Sequence, residues 1–206
     1  MEYNKLDLPD IVSEKQYSDF TKKETEEYFQ WFMATKDERI EVLKNYIEEE
    51  GNENVKFDYT PESLIPLWDW YIEHIVMVKK SDEEIEQERR QYPDFVRIRE
   101  EKISYDTLQI CYDISCYFGE VIIRNSEGKA CWGYKTKPKN MMSVKKPVVL
   151  GFAGDHFLDA ASLIPAMTWR HIEAMEENKE KEEKGLFEMY DLWHKMLYKT
   201  FFELSL

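Results

Sequence analysis

The stretch CYDISCYFGEVIIR, residues 111–124, decides how the rest of the chain is read. Placed on a helix at about 100° per residue, Asp106, Gln109, Asp113, Tyr117, Glu120 and Arg124 fall on one narrow stripe. The rest of the circumference is apolar or small: Leu108, Cys111, Ile114, Ser115, Phe118, Gly119, Val121 and Ile122. A helix of that pattern is buried on most of its surface, so residues 104–124 are expected to form the central helix of the fold. Ser115 and Gly119 sit one turn apart within the apolar side, where small side chains admit a close neighbour. Cys111 and Cys116 differ by five positions, about 140° around the axis, so their thiols face apart. A disulfide between them would require the helix to unwind, and both read as small buried hydrophobes.

Working outward, ACWGYKT and KPVVLGF read as two strands of a β hairpin over 130–152. Upstream, residues 1–19 read as an irregular arm, and residues 20–51 as a helical hairpin. The hairpin reading rests on two capping-box spacings, Thr21 with Glu24 and Thr35 with Glu38, and on Gly51 as a stop. Pro61 and Pro66 place a turn after Thr60 and a helix from about Ile65. SDEEIEQERRQ (81–91) is a charged, solvated helical excursion that YPDF breaks. Residues 161–206 read as C-terminal helices interrupted near Gly185, with EENKEKEEKG (176–185) as solvated surface or a link. The expected fold is mainly helical α+β, about seven helices with a small antiparallel hairpin or sheet, in one domain over 1–206.

Composition bounds the function. The 206 residues carry 42 acidic against 28 basic side chains, a net charge of −14, with 43% hydrophobic and 15% aromatic content. Disordered chains lack such aromatics, and so acidic a molecule repels DNA and RNA. No run approaches the roughly 18 consecutive apolar residues that span a membrane, and the first residues lack the basic start and apolar stretch of a signal peptide. Cys111, Cys116 and Cys131 have no metal-ligand spacing, which points to a reducing, cytoplasmic setting.

Three readings compete for the polar stripe. Asp113 and Glu120 are seven residues apart, roughly 10 Å along a helix, which suits an inverting acid–base pair or half of a carboxylate metal site. There is no Glu-x-x-His on this helix and no other Asp or Glu between them. The structural alternative pairs both with basic residues such as Arg97, Arg99 or the lysines of the following hairpin. The third makes Asp106, Asp113, Tyr117 and Glu120, with Trp132 and Tyr134, part of a partner-binding surface. Between Gly128 and Gly154 there is no acidic residue but there are lysines at 129, 135, 137, 139, 145 and 146. That local reversal of sign suits phosphate or single-stranded nucleic acid, or a basic hairpin lying on an acidic body, which the surrounding field favours. The histidines at 74, 156, 171 and 194 are scattered, and GFAGDH (151–156) lacks phosphate-cradling glycine spacing.

FTKKETEEYFQWFMATKDERIEVLKNYI and YDISCYFGEVIIRN…CWGYKTKPKNMMSVKKPVVLGF together resemble a group of small cytosolic proteins of Gram-positive bacteria that look like immunity proteins of secreted polymorphic toxins. Asp113, Tyr117, Gly119 and Glu120 match that group's core helix, and Trp132 and Lys-Pro-Lys-Asn (137–140) are also similar. The two acidic insertions depart from it. The resemblance implies a non-enzymatic binding protein that neutralises a cognate toxin domain, with a basic protein as partner, and no catalytic residue, cofactor or metal. The competing expectations are a small metal-dependent hydrolase using Asp113 and Glu120, with Asp155 or His156, and a cytosolic adaptor.

Overall fold

The computed structural model describes residues 3–138, 141–177 and 185–199. Among these, seven α-helices and four short strands follow one another: α1 (Asp10–Glu14), α2 (Lys22–Glu49), α3 (Leu64–Glu73), β1 (Met77–Lys79), α4 (Asp82–Gln91), β2 (Glu101–Ile103), α5 (Tyr105–Arg124), β3 (Cys131–Tyr134), β4 (Pro147–Leu150), α6 (Ala160–Glu176) and α7 (Gly185–Met196). The architecture is mainly helical α+β, with two separate two-stranded antiparallel sheets, β1–β2 and β3–β4. Among the described residues no helix is long and apolar enough to cross a membrane.

α5 is the central element, as its pattern requires. Ser104 caps it, its Oγ accepting from the Thr107 amide, and fourteen of its twenty residues are buried. Leu108, expected on the buried side, stands 40% exposed near the open first turns. The Ser115 hydroxyl donates to the Cys111 and Ala160 carbonyls at 2.7 and 3.0 Å, so α6 begins against α5 where a small side chain leaves room. Gly119 accommodates no second helix. A Cβ there would lie 2.2 Å from the Trp132 ring, so the glycine is the seat of β3's indole. Cys111 packs toward Tyr71 and Thr168, while Cys116 faces the α2 side near Lys36 and Arg39, and both are free thiols.

Residues 20–51 are not a hairpin. The box at Thr21 and Glu24 forms, with both reciprocal bonds present. At Thr35 the hydroxyl instead donates back to the Trp31 carbonyl at 3.0 Å, a mid-helix bond. A continuous buried stripe (Phe32, Lys36, Arg39, Ile40, Leu43, Ile47) runs across the expected break, and burying it against α5 outweighs a local capping preference. The stop at Gly51 is a Schellman turn: φ is 79°, and the Gly51 and Asn52 amides donate to Glu48 and Ile47.

The arm is also more ordered than its sequence suggests. It contains α1, and Tyr3 and Leu6 are buried. Upstream of α3, Pro61–Ser63 form a 3-10 turn. β1 and β2, unanticipated, pair Met77 with Ile103 and carry the charged α4 between them. β3 and β4 pair Cys131 with Leu150 and Tyr134 with Pro147, as expected for the hairpin. α7 starts at Gly185, whose missing Cβ would meet the Trp68 indole at 2.8 Å, so this helix closes directly on α3. The central part of EENKEKEEKG and the positions Lys139 and Asn140 lie outside the described residues.

Gly119→Ala tests the seat of the indole. The gain in helix propensity is up to about 1 kcal/mol and overpacking costs about 1–3 kcal/mol, so a net loss of about 1–2 kcal/mol is expected in denaturant unfolding. Unchanged or increased stability would mean that Trp132 is not held there.

Candidate functional site

Of the polar stripe of α5, Gln109, Asp113 and Glu120 face inward onto α2 and the N-terminal arm, and Tyr117 faces the segment 59–63. Asp113 is fully buried, and its carboxylate receives a two-pronged bond from Arg39. Nε lies 2.9 Å from Oδ1 and Nη2 lies 2.7 Å from Oδ2. The Tyr3 hydroxyl donates to Oδ2 at 2.5 Å. Arg39 Nη2 also donates to the Asn4 carbonyl at 2.9 Å, and the Leu6 amide donates to Gln109 Oε1 at 2.9 Å. The arm is thereby stitched to α2 and α5 through polar groups.

Two turns further along α5, Glu120 forms a second centre. Lys36 Nζ lies 2.8 Å from its Oε1, which also accepts from the Trp132 indole at 2.9 Å, and Arg124 Nε reaches Oε2 at 3.3 Å. Lys36 also bonds Asp37 at 2.6 Å. Lys36 meets Glu120 while Arg39 meets Asp113, so α2 and α5 run in opposite senses. Between the two centres the Tyr117 hydroxyl accepts from the Tyr59 amide at 3.1 Å and lies 2.7 Å from Ser63 Oγ. That bond helps hold Tyr59 at φ 61°, which a bulky side chain rarely adopts. The Arg124 guanidinium covers the Tyr59 ring, 3.4 Å from its centroid.

Burial sets the protonation chemistry. It pushes the Asp113 carboxyl up to about 6, against the opposing pull of Arg39 and Tyr3. For Lys36 burial pulls down, but Asp37 and Glu120 more than offset it and leave the ammonium above its ordinary value. Arg39 is raised in the same way by Asp113. Burial raises the Tyr3 hydroxyl and the Cys116 thiol well above their usual ranges, so neither supplies an anion near neutral pH.

The structural reading of the carboxylates therefore describes their environment, with different partners from those expected. Arg99 bonds Glu173 and Glu176 on α6, and no bond joins a hairpin lysine to Asp113 or Glu120 among the described residues. Lys145 donates to the Ser18 and Phe20 carbonyls, Lys135 pairs with Asp155, and Lys146 and Lys129 sit over the Tyr17 and Tyr198 rings. The basic hairpin is absorbed by carbonyls and aromatic faces more than by acids. Of the six residues expected on a binding surface, Asp113, Tyr117 and Glu120 are buried and Asp106 is exposed on the first turn of α5. Trp132 and Tyr134 are half-buried against Phe32 and Phe29 of α2, with the Tyr134 hydroxyl on Glu26 at 2.7 Å. They do not form one open face.

Tyr3, Lys36 and Arg39 are the site residues that sequence reasoning missed. Their signal lay in α2: Lys36 and Arg39 follow Phe32 by four and seven positions, and so interrupt its apolar stripe with two cations. Beside the seam is a cavity of about 270 Å³ walled by the arm, α2, α5, the β3–β4 hairpin and α6. No carboxylate or histidine lines it among the described residues; its polar groups are Gln109, Ser115, Cys116, Lys146 and the Tyr17, Tyr28 and Tyr112 side chains. Among the described residues no group of three or more His, Cys, Asp or Glu side chains is placed to hold a metal ion. No family model matches the chain, and no curated protein and no solved structure matches it.

Two measurements probe the seam. Glu120→Ala takes from the buried Lys36 ammonium one of its two carboxylate partners and from the Trp132 indole its acceptor, and is expected to cost about 1.5–3 kcal/mol; a loss below ~0.5 kcal/mol would place Glu120 outside the framework. Asp113 binds its proton near pH 6 when folded and near its ordinary value of 3.8 when unfolded. Between those values the folded chain holds the extra proton, so this group's contribution to stability falls as pH rises from about 4 to about 6, by at most about 1.4 kcal/mol per unit. In Asp113→Asn that slope is absent: the stability difference, wild type minus variant, should shrink from pH 4 to 6 and level off above. A difference that grows over the same range would reverse the assignment.

Proposed function

We propose that this chain is a non-enzymatic binding protein, an immunity protein that neutralises a cognate toxin domain in the cytoplasm by covering it. The observation that carries the reading is the saturation of the α5 carboxylates. Both Asp113 oxygens accept from Arg39 or Tyr3, and both Glu120 oxygens face Lys36, Trp132 or Arg124. A hydrolase built on these two groups would need oxygens free for a metal ion or an attacking water. The strongest motif in the chain is thus occupied in holding helices together, which supports a role for the outer surface.

The resemblance to toxin-immunity proteins supports this reading, and the net charge of −14 is compatible with it. An acidic surface with exposed aromatic groups complements a basic toxin face, and complementary fields speed encounter and exclude wrong partners. Nucleic acid is disfavoured as a partner by the same charge.

The test is genetic and biochemical together. The protein encoded beside this gene is expected to co-purify with the chain in stoichiometric amounts, and its toxicity to be suppressed when the chain is co-expressed. If the two proteins neither bind nor protect, the reading is wrong.

A further inference from the structure

We infer that the cavity beside the ion-pair seam is a binding site for a small organic carboxylate with an apolar body, its anionic end meeting Lys146. The site is independent of the partner-binding reading, so either can fail without the other. The arm, α2, α5, the β3–β4 hairpin and α6 meet around about 270 Å³ of space. A dry cavity of about 150 Å³ is enough to take benzene, so this one has room for a phenyl-sized body with a short acidic tail. Its apolar walls, Leu6, Phe32, Trp132 and Pro165 among them, supply the surface against which such a body would be buried.

The cavity has an apolar rim. Leu8 and Leu108 line it and stand 45% and 40% exposed, whereas Leu6, two residues before Leu8, is buried. Two exposed leucines from distant segments border one opening, and an apolar guest entering there would cover both. The elements that carry the walls are held by the Asp113 and Glu120 centres, so the space exists before any guest arrives and little ordering is needed on binding.

Polarity selects the other end of the guest. The chain has 42 acidic side chains, yet among the described residues none lines the cavity, and Lys146 is the one charged group that does. Its ammonium lies 5.2 Å from the centroid of the Tyr17 ring, which also lines the cavity, and it has no carboxylate partner among the described residues. Lys135 and Lys145 of the same hairpin are by contrast taken up by Asp155 and by backbone carbonyls. Phenols add further donors. The Tyr17 and Tyr28 hydroxyls lie 3.3 Å apart, and that bond uses only one of their two protons. The Tyr112 hydroxyl is buried in the wall with no hydrogen-bond partner among the described residues, and burial keeps it protonated. A cation and unmatched donors with no acid among them suit an anionic guest, whereas a cationic one would be repelled.

The experiment titrates the full chain calorimetrically with phenylpropionate and, separately, with phenylpropionamide, its uncharged counterpart of nearly equal size. The acid is expected to bind with a submillimolar Kd, at least about fivefold more tightly than the amide. Lys146→Met and Leu108→Glu change part-exposed positions, so their melting should stay close to wild type. Lys146→Met should bring the acid to the amide's affinity and leave the amide unchanged. Leu108→Glu sets a like charge on the rim and should weaken the acid at least about threefold, more so at low salt. If the acid does not bind at millimolar concentration, the cavity is not such a site. Equal binding of acid and amide, or a preference that survives in Lys146→Met, would overturn the anionic assignment. Binding of the acid that Leu108→Glu leaves untouched would overturn the cavity as its seat.

Discussion

A carboxylate with no exposed surface stays charged only if something replaces its water, and the fold is arranged to replace it at Asp113. Arg39 arrives from α2 with two parallel donors, Tyr3 arrives from the arm with a third, and the same arginine holds the Asn4 carbonyl. Three segments distant in sequence thus share one anion. The upward shift of the Asp113 carboxyl means that burial outweighs these partners, so the ionic centre is not a source of net stability relative to water. What it supplies is register. A slide or rotation of α2 along α5 would leave both a guanidinium and a carboxylate buried and unmatched. The Lys36–Glu120 contact two turns away along α5 repeats the constraint and fixes the direction of the pairing.

The hairpin depends on that register. Glu120 accepts the Trp132 indole proton as well as facing Lys36, and the indole occupies the space that Gly119 leaves on α5. The Trp132 ring also meets Phe32 of α2 edge-on at 4.8 Å between centroids. One tryptophan is therefore located by a hydrogen bond, a vacancy and an aromatic contact, each from a residue the ion pairs have already placed. β3 follows its indole, β4 follows β3, and the bridge from Val149 to Leu158 leads the chain into α6.

How much of this was legible in the sequence follows from the range of each interaction. α5 was, because periodicity is local and its stripe is narrow. The β3–β4 hairpin was too, since two apolar runs bracket a proline-containing loop. The break expected inside α2 was not there, because Thr35 with Glu38 satisfies a local rule that the stripe from Phe32 to Ile47 overrides through distant contacts. Arg99 and the hairpin lysines were the wrong partners for Asp113 and Glu120 because proximity along the chain favoured them, while Arg39 and Lys36 lie over seventy positions upstream. The β1–β2 ribbon escaped notice because three-residue strands carry almost no alternation to read. The cavity beside the seam likewise depends on how distant segments meet, which no local pattern records.

The most direct test of the framework is a double-mutant cycle between Arg39 and Asp113, using Arg39→Met, Asp113→Leu and the pair together, read by denaturant unfolding at pH 7. Each single variant strands one buried charge and should lose about 3–5 kcal/mol, whereas the pair removes both charges, leaves only the Tyr3 hydroxyl and the Asn4 carbonyl without these partners, and should lose no more than either single variant. Losses that add within ~0.5 kcal/mol would mean that the two groups act independently, and that the register of α2 on α5 is set elsewhere.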